Sequence, residues 1–244
     1  MGAPIRLQTH VWNPLGERRA LLLHGLTSDG TGWWQLAAGL ADAGWLVIAP
    51  DLRSHGRSPA GAEHTVAAFA GDVELLGGGY DLVVGHSLGG SIAARLLATA
   101  GFASAAVLVD PVIRLEPAVH RQLRADLHAA FGKDAAAVRA EHPRWHERDV
   151  QRKVLAMGLV TPDVVDAVLD DNDPWDVTAD VGAWQARVHL LVADPDEGGL
   201  LPPSVAAEVA DGVRVTSELV AGAGHSIHRE VPGVVRAAVD RVVG

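Results

Sequence analysis

The 244-residue chain contains no cysteine. This absence excludes disulfides, thiolate metal sites and a cysteine nucleophile. No apolar run approaches the roughly 18 residues that a membrane-spanning helix requires, and residues 1–6 show neither the basic segment nor the apolar stretch of a secretory signal. We therefore expect a soluble, cytoplasmic protein that does not associate with a membrane.

Positive charge is also scarce. Lysine and arginine number 20 against 30 aspartates and glutamates, which gives a formal net charge of −10, and Lys133 and Lys153 are the only lysines. The basic residues are scattered along the chain and form no stripe, so we expect no nucleic-acid partner. The expected partner is a small-molecule substrate.

Short apolar runs of the β type alternate with helical patterns from about residue 20 onward. The predicted strands are 20–24, 45–49, 81–85, 105–109, 188–192 and 213–220, with 5–12 as an edge strand. The predicted helices are 33–43, 66–76, 88–100, 203–210 and 232–242. This alternation predicts an α/β fold with a mostly parallel, doubly wound sheet whose strands are buried on both faces.

Residues 114–182 interrupt the alternation, because they hold several helical patterns and no convincing strand. We predict a core of residues 1–113 and 183–244, with 114–182 inserted as a helical lid at the carboxyl end of a strand, where α/β sheets bind ligands. Trp145, Met157 and Trp175 are candidate pocket walls, although each also suits a hydrophobic core.

Residues 80–91, Tyr-Asp-Leu-Val-Val-Gly-His-Ser-Leu-Gly-Gly-Ser, predict a buried strand, a tight turn and a helix. The flanking glycines Gly85 and Gly89 avoid the clashes that such a turn imposes. Ser87 is the predicted nucleophile, and the Leu88 amide at the start of the helix is a predicted oxyanion donor.

In this context the sequence resembles the α/β-hydrolase family, and three further motifs carry the resemblance. They are His24-Gly25-Leu26, the turn at residues 51–58 that begins with Asp51, and Gly222-Ala223-Gly224-His225-Ser226. The resemblance implies an α/β-hydrolase fold and a second oxyanion donor at the Leu26 amide. It implies neither a metal nor an organic cofactor.

A serine hydroxyl needs a neighbouring imidazole to remove its proton during attack. Of the twelve histidines, His225 alone lies in a glycine-rich loop between the last strand and the final helix. We therefore predict His225 as the general base, with His228 as the weaker alternative. We expect structural hydrogen bonds from His24, His55 and His86.

The carboxylate that orients the base is less well determined. Family members usually carry it after the strand that precedes the histidine strand, and there Asp194, Asp196 and Glu197 compete in Ala-Asp-Pro-Asp-Glu. A second family arrangement places the acid one strand earlier, where Asp110 follows residues 105–109. Asp194 ranks first, Asp110 second, Asp196 third and Glu197 last, although an aspartate before proline often only ends a strand.

These residues predict a serine hydrolase that forms an acyl-enzyme from a small, fairly apolar ester or lactone. Hydrolysis of a carbon–carbon bond, or cofactor-free perhydrolysis, is an alternative that uses the same triad. A ligand receptor that keeps the fold without turnover is a rival of another class. A dinucleotide-binding protein is disfavoured, because residues 24–30 lack Gly-x-Gly-x-x-Gly.

Overall fold

A computed structural model describes residues 2–244 and contains one sheet of seven strands. In chain order the strands are β1 (Thr9–Trp12), β2 (Arg18–Leu23), β3 (Trp45–Pro50), β4 (Leu82–His86), β5 (Ala105–Val109), β6 (Arg187–Ala193) and β7 (Val215–Val220). Their spatial order is β1-β3-β2-β4-β5-β6-β7. All neighbours pair in parallel except β1, which pairs antiparallel with β3 at the edge.

The helices connect the strands and cover the sheet. They are α1 (Trp34–Asp42), α2 (Val66–Glu74), α3 (Leu88–Leu97), α4 (Pro117–Ala130), α5 (Ala135–Glu141), α6 (Glu147–Met157), α7 (Pro162–Asp171), α8 (Thr178–Val181), α9 (Pro203–Val209), α10 (Ile227–Glu230) and α11 (Pro232–Val243). None of the helices in residues 2–244 combines the length and the apolar character that crossing a bilayer requires.

Both faces of the sheet are buried, as the continuous apolar runs predict. Along β2, Leu21 and Leu23 face one hydrophobic cluster with residues of α2, α3 and α9. Ala20 and Leu22 face the opposite cluster, which contains residues of α1 and α11. The predicted doubly wound α/β fold is therefore confirmed, and the carboxyl ends of β2 and β4–β6 meet along one edge of the sheet.

Several predicted bounds need correction. The edge strand is only four residues long. The last strand begins at Val215 rather than Val213, because the Asp211 carboxylate accepts hydrogen bonds from the amides of residues 213–215 and holds them in a turn. The short helix α10, which follows the predicted base, was not predicted.

Between β5 and β6 the chain forms the helices α4 to α8. The one β-bridge described in this segment joins Arg114 and Asp176. The beginning and the end of the segment therefore lie side by side. We refer to residues 114–182 as the helical insertion.

Candidate active site

Ser87 lies in the sharp turn between β4 and α3. Its backbone has φ 55° and ψ −120°, a strained conformation for a residue with a side chain. A Cβ on Gly85 would lie 2.4 Å from the Gly89 oxygen, and one on Gly89 would lie 2.2 Å from the Leu23 oxygen. The two glycines therefore permit the close contact of strand, turn and helix that holds Ser87 at the sheet edge.

The loop of residues 24–29, which carries Leu26, passes directly beside this turn. A Cβ on Gly25 would lie 3.0 Å from the Ser87 Cβ, so the loop and the serine are in contact. The Leu88 amide is the first of α3, where backbone N–H groups have no helical acceptor. In residues 2–244 neither the Leu26 nor the Leu88 N–H donates to another protein group, which leaves both for a ligand.

The His24 imidazole and the Asp51 carboxylate hold the loop in place. His24 Nδ1 donates to the Gly25 oxygen at 2.8 Å, and its Nε2 accepts from the Leu52 amide at 3.0 Å. Asp51 accepts from the Gly30 amide at 2.9 Å. Burial alone would raise the pKa of Asp51, but hydrogen bonds from His10, Arg57 and Gly30 lower it to about 2.

His225 and Asp110 form a hydrogen-bonded pair. His225 Nδ1 lies 2.6 Å from Asp110 Oδ2, and because a carboxylate only accepts, Nδ1 carries the proton and Nε2 stays open as an acceptor. Asp110 is fully buried and also accepts from the backbone amides of Ala193, Leu200 and Leu201 at 3.1, 2.8 and 3.2 Å. Four donors therefore satisfy its two oxygens.

Asp194, ranked first from the sequence, does not contact His225. Its carboxylate accepts instead from the Asp196 amide at 3.1 Å and the Gly222 amide at 2.8 Å, so it organises the turn after β6. Asp196 and Glu197 are exposed. The acid after β5 therefore contacts the imidazole, whereas those after β6 do not.

Of the other histidines of the site, His86 is buried and His228 is half-buried. His86 Nε2 donates to the His225 backbone oxygen at 3.0 Å. Its ring is tilted against the rings of His225 and His228, with centroid distances of 4.6 and 4.5 Å. Burial lowers the pKa of His86, and the neighbouring charges of His228, His225 and Arg229 lower it further. Burial likewise lowers the pKa of His228, whose ring also contacts Trp33. Within the described chain, His228 thus packs against the rings of Trp33 and His86 and has no carboxylate partner.

The helical insertion contacts two loops of the site, the one that carries Leu26 and the one that carries His225. Lys153 Nζ donates to the Thr27 hydroxyl at 2.6 Å and to the Thr27 carbonyl at 3.2 Å. Arg144 donates to the Gly222 carbonyl and pairs with Glu230 on the His225 side. Lys153 is one of only two lysines in an arginine-rich chain, which is a weak signal, and no pattern in the sequence places it beside Thr27.

The three candidate wall residues are all buried. Trp145 lies under the Arg229 guanidinium at 4.6 Å, and Trp175 Nε1 donates to the Ser91 hydroxyl at 3.2 Å. Met157 is 8% exposed. A separate cavity of about 220 Å³ lies between α1 and α11 and is bounded by His228 and Asp149, without Ser87 among its lining residues. Nowhere in residues 2–244 do three His, Asp or Glu side chains form a group able to hold a metal ion.

Comparison with known proteins agrees with this geometry. The sequence model of the alpha/beta hydrolase family matches residues 20–238. Lipase LipV of Mycobacterium tuberculosis is 36% identical over 174 residues, which cover 69% of this chain and 62% of the lipase. The chain thus spans less than two thirds of the length of that relative.

Solved structures show the same fold at low identity. E-2-(acetamidomethylene)succinate hydrolase superposes with a TM-score of 0.81 at 18% identity, covering 98% of this chain and 99% of that one. The esterase EaEST of Exiguobacterium antarcticum superposes with a TM-score of 0.77 at 14% identity, covering 100% and 99%. With its strained serine turn, its histidine loop and its matched family model, the chain belongs to the alpha/beta hydrolase family.

Proposed function

We propose that the protein is a serine hydrolase that cleaves small carboxylic esters or lactones through an acyl-enzyme. The observation that carries the proposal is the 2.6 Å contact of His225 Nδ1 with the buried Asp110 carboxylate, beside the strained turn of Ser87. A carboxylate in this position fixes the imidazole tautomer and stabilises the imidazolium that forms during attack.

The reaction follows from these groups. His225 Nε2 accepts the Ser87 hydroxyl proton while the oxygen attacks the substrate carbonyl, and the Leu26 and Leu88 amides bind the oxyanion. His225 then protonates the departing alkoxide as the carbon–oxygen bond breaks. Water, deprotonated by the same imidazole, attacks the acyl-enzyme and releases the acid and Ser87.

Esters rank before amides because an alkoxide leaves more readily than an amine. Two similar proteins, a lipase and an esterase, support the same substrate class. We further propose that the helical insertion acts as a lid. Its contacts with Thr27, next to Leu26, and with Gly222, in the loop of His225, support this role.

A nitrophenyl ester assay tests the proposal. With 4-nitrophenyl butyrate we expect a burst of nitrophenol equal to the enzyme concentration, followed by slower turnover. Ser87→Ala should abolish the burst and lower kcat by a factor of about 10⁴ or more. Ser91→Ala, one helical turn further along α3, is the matched control and should keep the burst. Wild-type enzyme without burst or turnover on esters and lactones would refute the proposal.

A further inference from the structure

Two basic side chains contact the loop that carries the Leu26 amide. Lys153, from α6, binds Thr27, and Arg229, from α10, donates from Nη2 to the Ser28 hydroxyl at 3.1 Å. Thr27 and Ser28 directly follow Leu26 in the sequence. The insertion and the His225 side of the molecule therefore each direct one positive charge to the same short loop.

Lys153 has no acidic partner. Within residues 2–244 no carboxylate oxygen lies within 4.0 Å of its ammonium group, and its two acceptors are the neutral oxygens of Thr27. Burial, together with the positive charges of Arg229 and Lys133, lowers the pKa of Lys153 to about 7. The charged neighbours are thus themselves cations, which makes the protonated amine costly in the absence of an anion.

Arg229 also keeps an unused donor. It is 7% exposed, it lies over Trp145, and its buried Nε has no hydrogen-bond partner in the described chain. Asp29 and Asp149 raise its pKa from a distance, although burial lowers it overall. Each of these carboxylates accepts a hydrogen bond from another group. Asp29 accepts from the Thr31 amide at 2.8 Å, and Asp149 accepts from Trp34 Nε1 at 2.9 Å.

Ser87 and Lys153 contact the same short loop. The loop touches Ser87 at Gly25, and the two residues from Gly25 to Thr27 span at most roughly 7 Å. An ester carbonyl at Ser87 and a second group at Lys153 can therefore belong to one compound with a chain of several atoms.

From these contacts we propose that Lys153, assisted by Arg229, binds a carboxylate of the substrate, so that the preferred esters carry a negative charge. The inference rests on the proposed ester hydrolysis and replaces the expected apolar substrate with an anionic one. A carboxylate would accept the N–H that Lys153 does not give to Thr27 and would supply the missing counter-charge.

Matched ester pairs test this. In the first pair, 4-nitrophenyl hydrogen adipate and 4-nitrophenyl hexanoate share leaving group and chain length and differ by a carboxylate in place of a methyl. In the second pair, 4-carboxyphenyl butyrate and 4-carbamoylphenyl butyrate place the charge on the alcohol half. We expect the anionic member of one pair to be preferred about tenfold in kcat/KM, mainly through KM, as one charge-assisted hydrogen bond allows. The pair that shows the preference identifies the half of the substrate that carries the charge.

Variants separate a binding role from a structural one. Lys153→Gln and Lys153→Met should reduce the preference to about twofold or less, while Lys153→Arg, which keeps a cation, should retain most of it. Arg121→Gln removes one exposed charge from α4 and should leave both the preference and the rates unchanged. The melting temperature of each variant shows whether it is folded.

Two results would overturn the inference: neutral esters hydrolysed as well as the anionic ones by the wild type, or a preference that survives in both Lys153→Gln and Lys153→Met. If none of the four esters is hydrolysed, the proposed function itself fails and the inference with it. That outcome differs from hydrolysis without charge preference.

Discussion

The ends of β5 and β6 carry the same dipeptide, Asp-Pro, at the same edge of the sheet, yet the two aspartates have different surroundings. Asp110 has a positive φ of 40° and a fully buried carboxylate that holds His225. Asp194 has φ −66° and a partly exposed carboxylate that caps the turn after its own strand. Position after a strand does not by itself determine which acid serves the histidine.

The difference comes from the donors that surround each carboxylate. The chain after β6 turns its Leu200 and Leu201 amides back onto Asp110, and the Ala193 amide at the end of β6 joins them. Backbone amides at and after the end of β6 thus bind the carboxylate of Asp110, which follows β5. Asp194 contributes indirectly, because its bond to the Gly222 amide fastens the loop that carries the imidazole.

Removing each negative charge separately gives the largest expected contrast. Asp110→Asn should lower kcat/KM on 4-nitrophenyl butyrate by about 10⁴, because the wrong imidazole tautomer is then favoured. Asp194→Asn should cost about fivefold or less, since it only loosens a hydrogen bond to the loop. Steady-state kinetics with both purified variants checks this. Equal losses, or a larger loss in Asp194→Asn, would reverse the assignment.

The double variant sharpens the same comparison. If Asp194 cannot replace Asp110, the losses of Asp110→Asn and Asp194→Asn should multiply, and the double variant should be about fivefold below Asp110→Asn alone. If Asp194 serves as a substitute acid in Asp110→Asn, adding the second change should lower kcat/KM by a much larger factor. A double-mutant cycle on kcat/KM distinguishes the two outcomes.

Acid should destabilise the folded chain through its buried imidazoles, whereas Asp194 should contribute little to this loss. Burial lowers the pKa of His55 to about 3, and it also lowers the pKa of His24, His86 and His228. The unfolded chain then binds more protons than the folded chain at pH values between the folded pKa and about 6.5. The contribution of these histidines to the free energy of unfolding should therefore be fully present above pH 6.5. It should fall as the pH drops towards 3.

For His55 alone the loss between pH 7.5 and 5.0 should be about 1–2 kcal/mol. Urea unfolding at the two pH values measures it, and His55→Asn should reduce the difference. Asp194→Asn is the control, because hydrogen bonds from the Gly222 and Asp196 amides lower the pKa of Asp194 and its titration lies in more acid solution. A pH-independent unfolding free energy would contradict the burial of neutral imidazoles.

The smallest effects are expected at the two remaining acids of the β6 end. Asp196 and Glu197 are exposed, and neither contacts His225. Asp196→Asn and Glu197→Gln should therefore stay within about twofold of wild type in kcat/KM. A loss of tenfold or more in either variant would show that this turn contributes more to the site than its contacts indicate.

The sequence was sufficient for what local patterns determine. Apolar runs and their alternation with helices predicted all seven strands, and Gly85 and Gly89 predicted the strained turn of Ser87, because no other residue type fits there. Which of the two aspartates, Asp194 or Asp110, contacts His225 could not be predicted, since both precede proline. The amides that hold Asp110 come from another part of the chain, at Ala193, Leu200 and Leu201. The site of Lys153 depends in the same way on how the insertion folds over Thr27.

The most direct test of the account is fluorophosphonate labelling followed by peptide mass spectrometry. We predict stoichiometric labelling of the wild type at Ser87 alone, a rate in Asp194→Asn close to that of the wild type, and a rate in Asp110→Asn at least about a hundredfold lower. An unlabelled wild type, a label on another serine, or equal rates in Asp110→Asn and the wild type would contradict a site built from Ser87, His225 and Asp110.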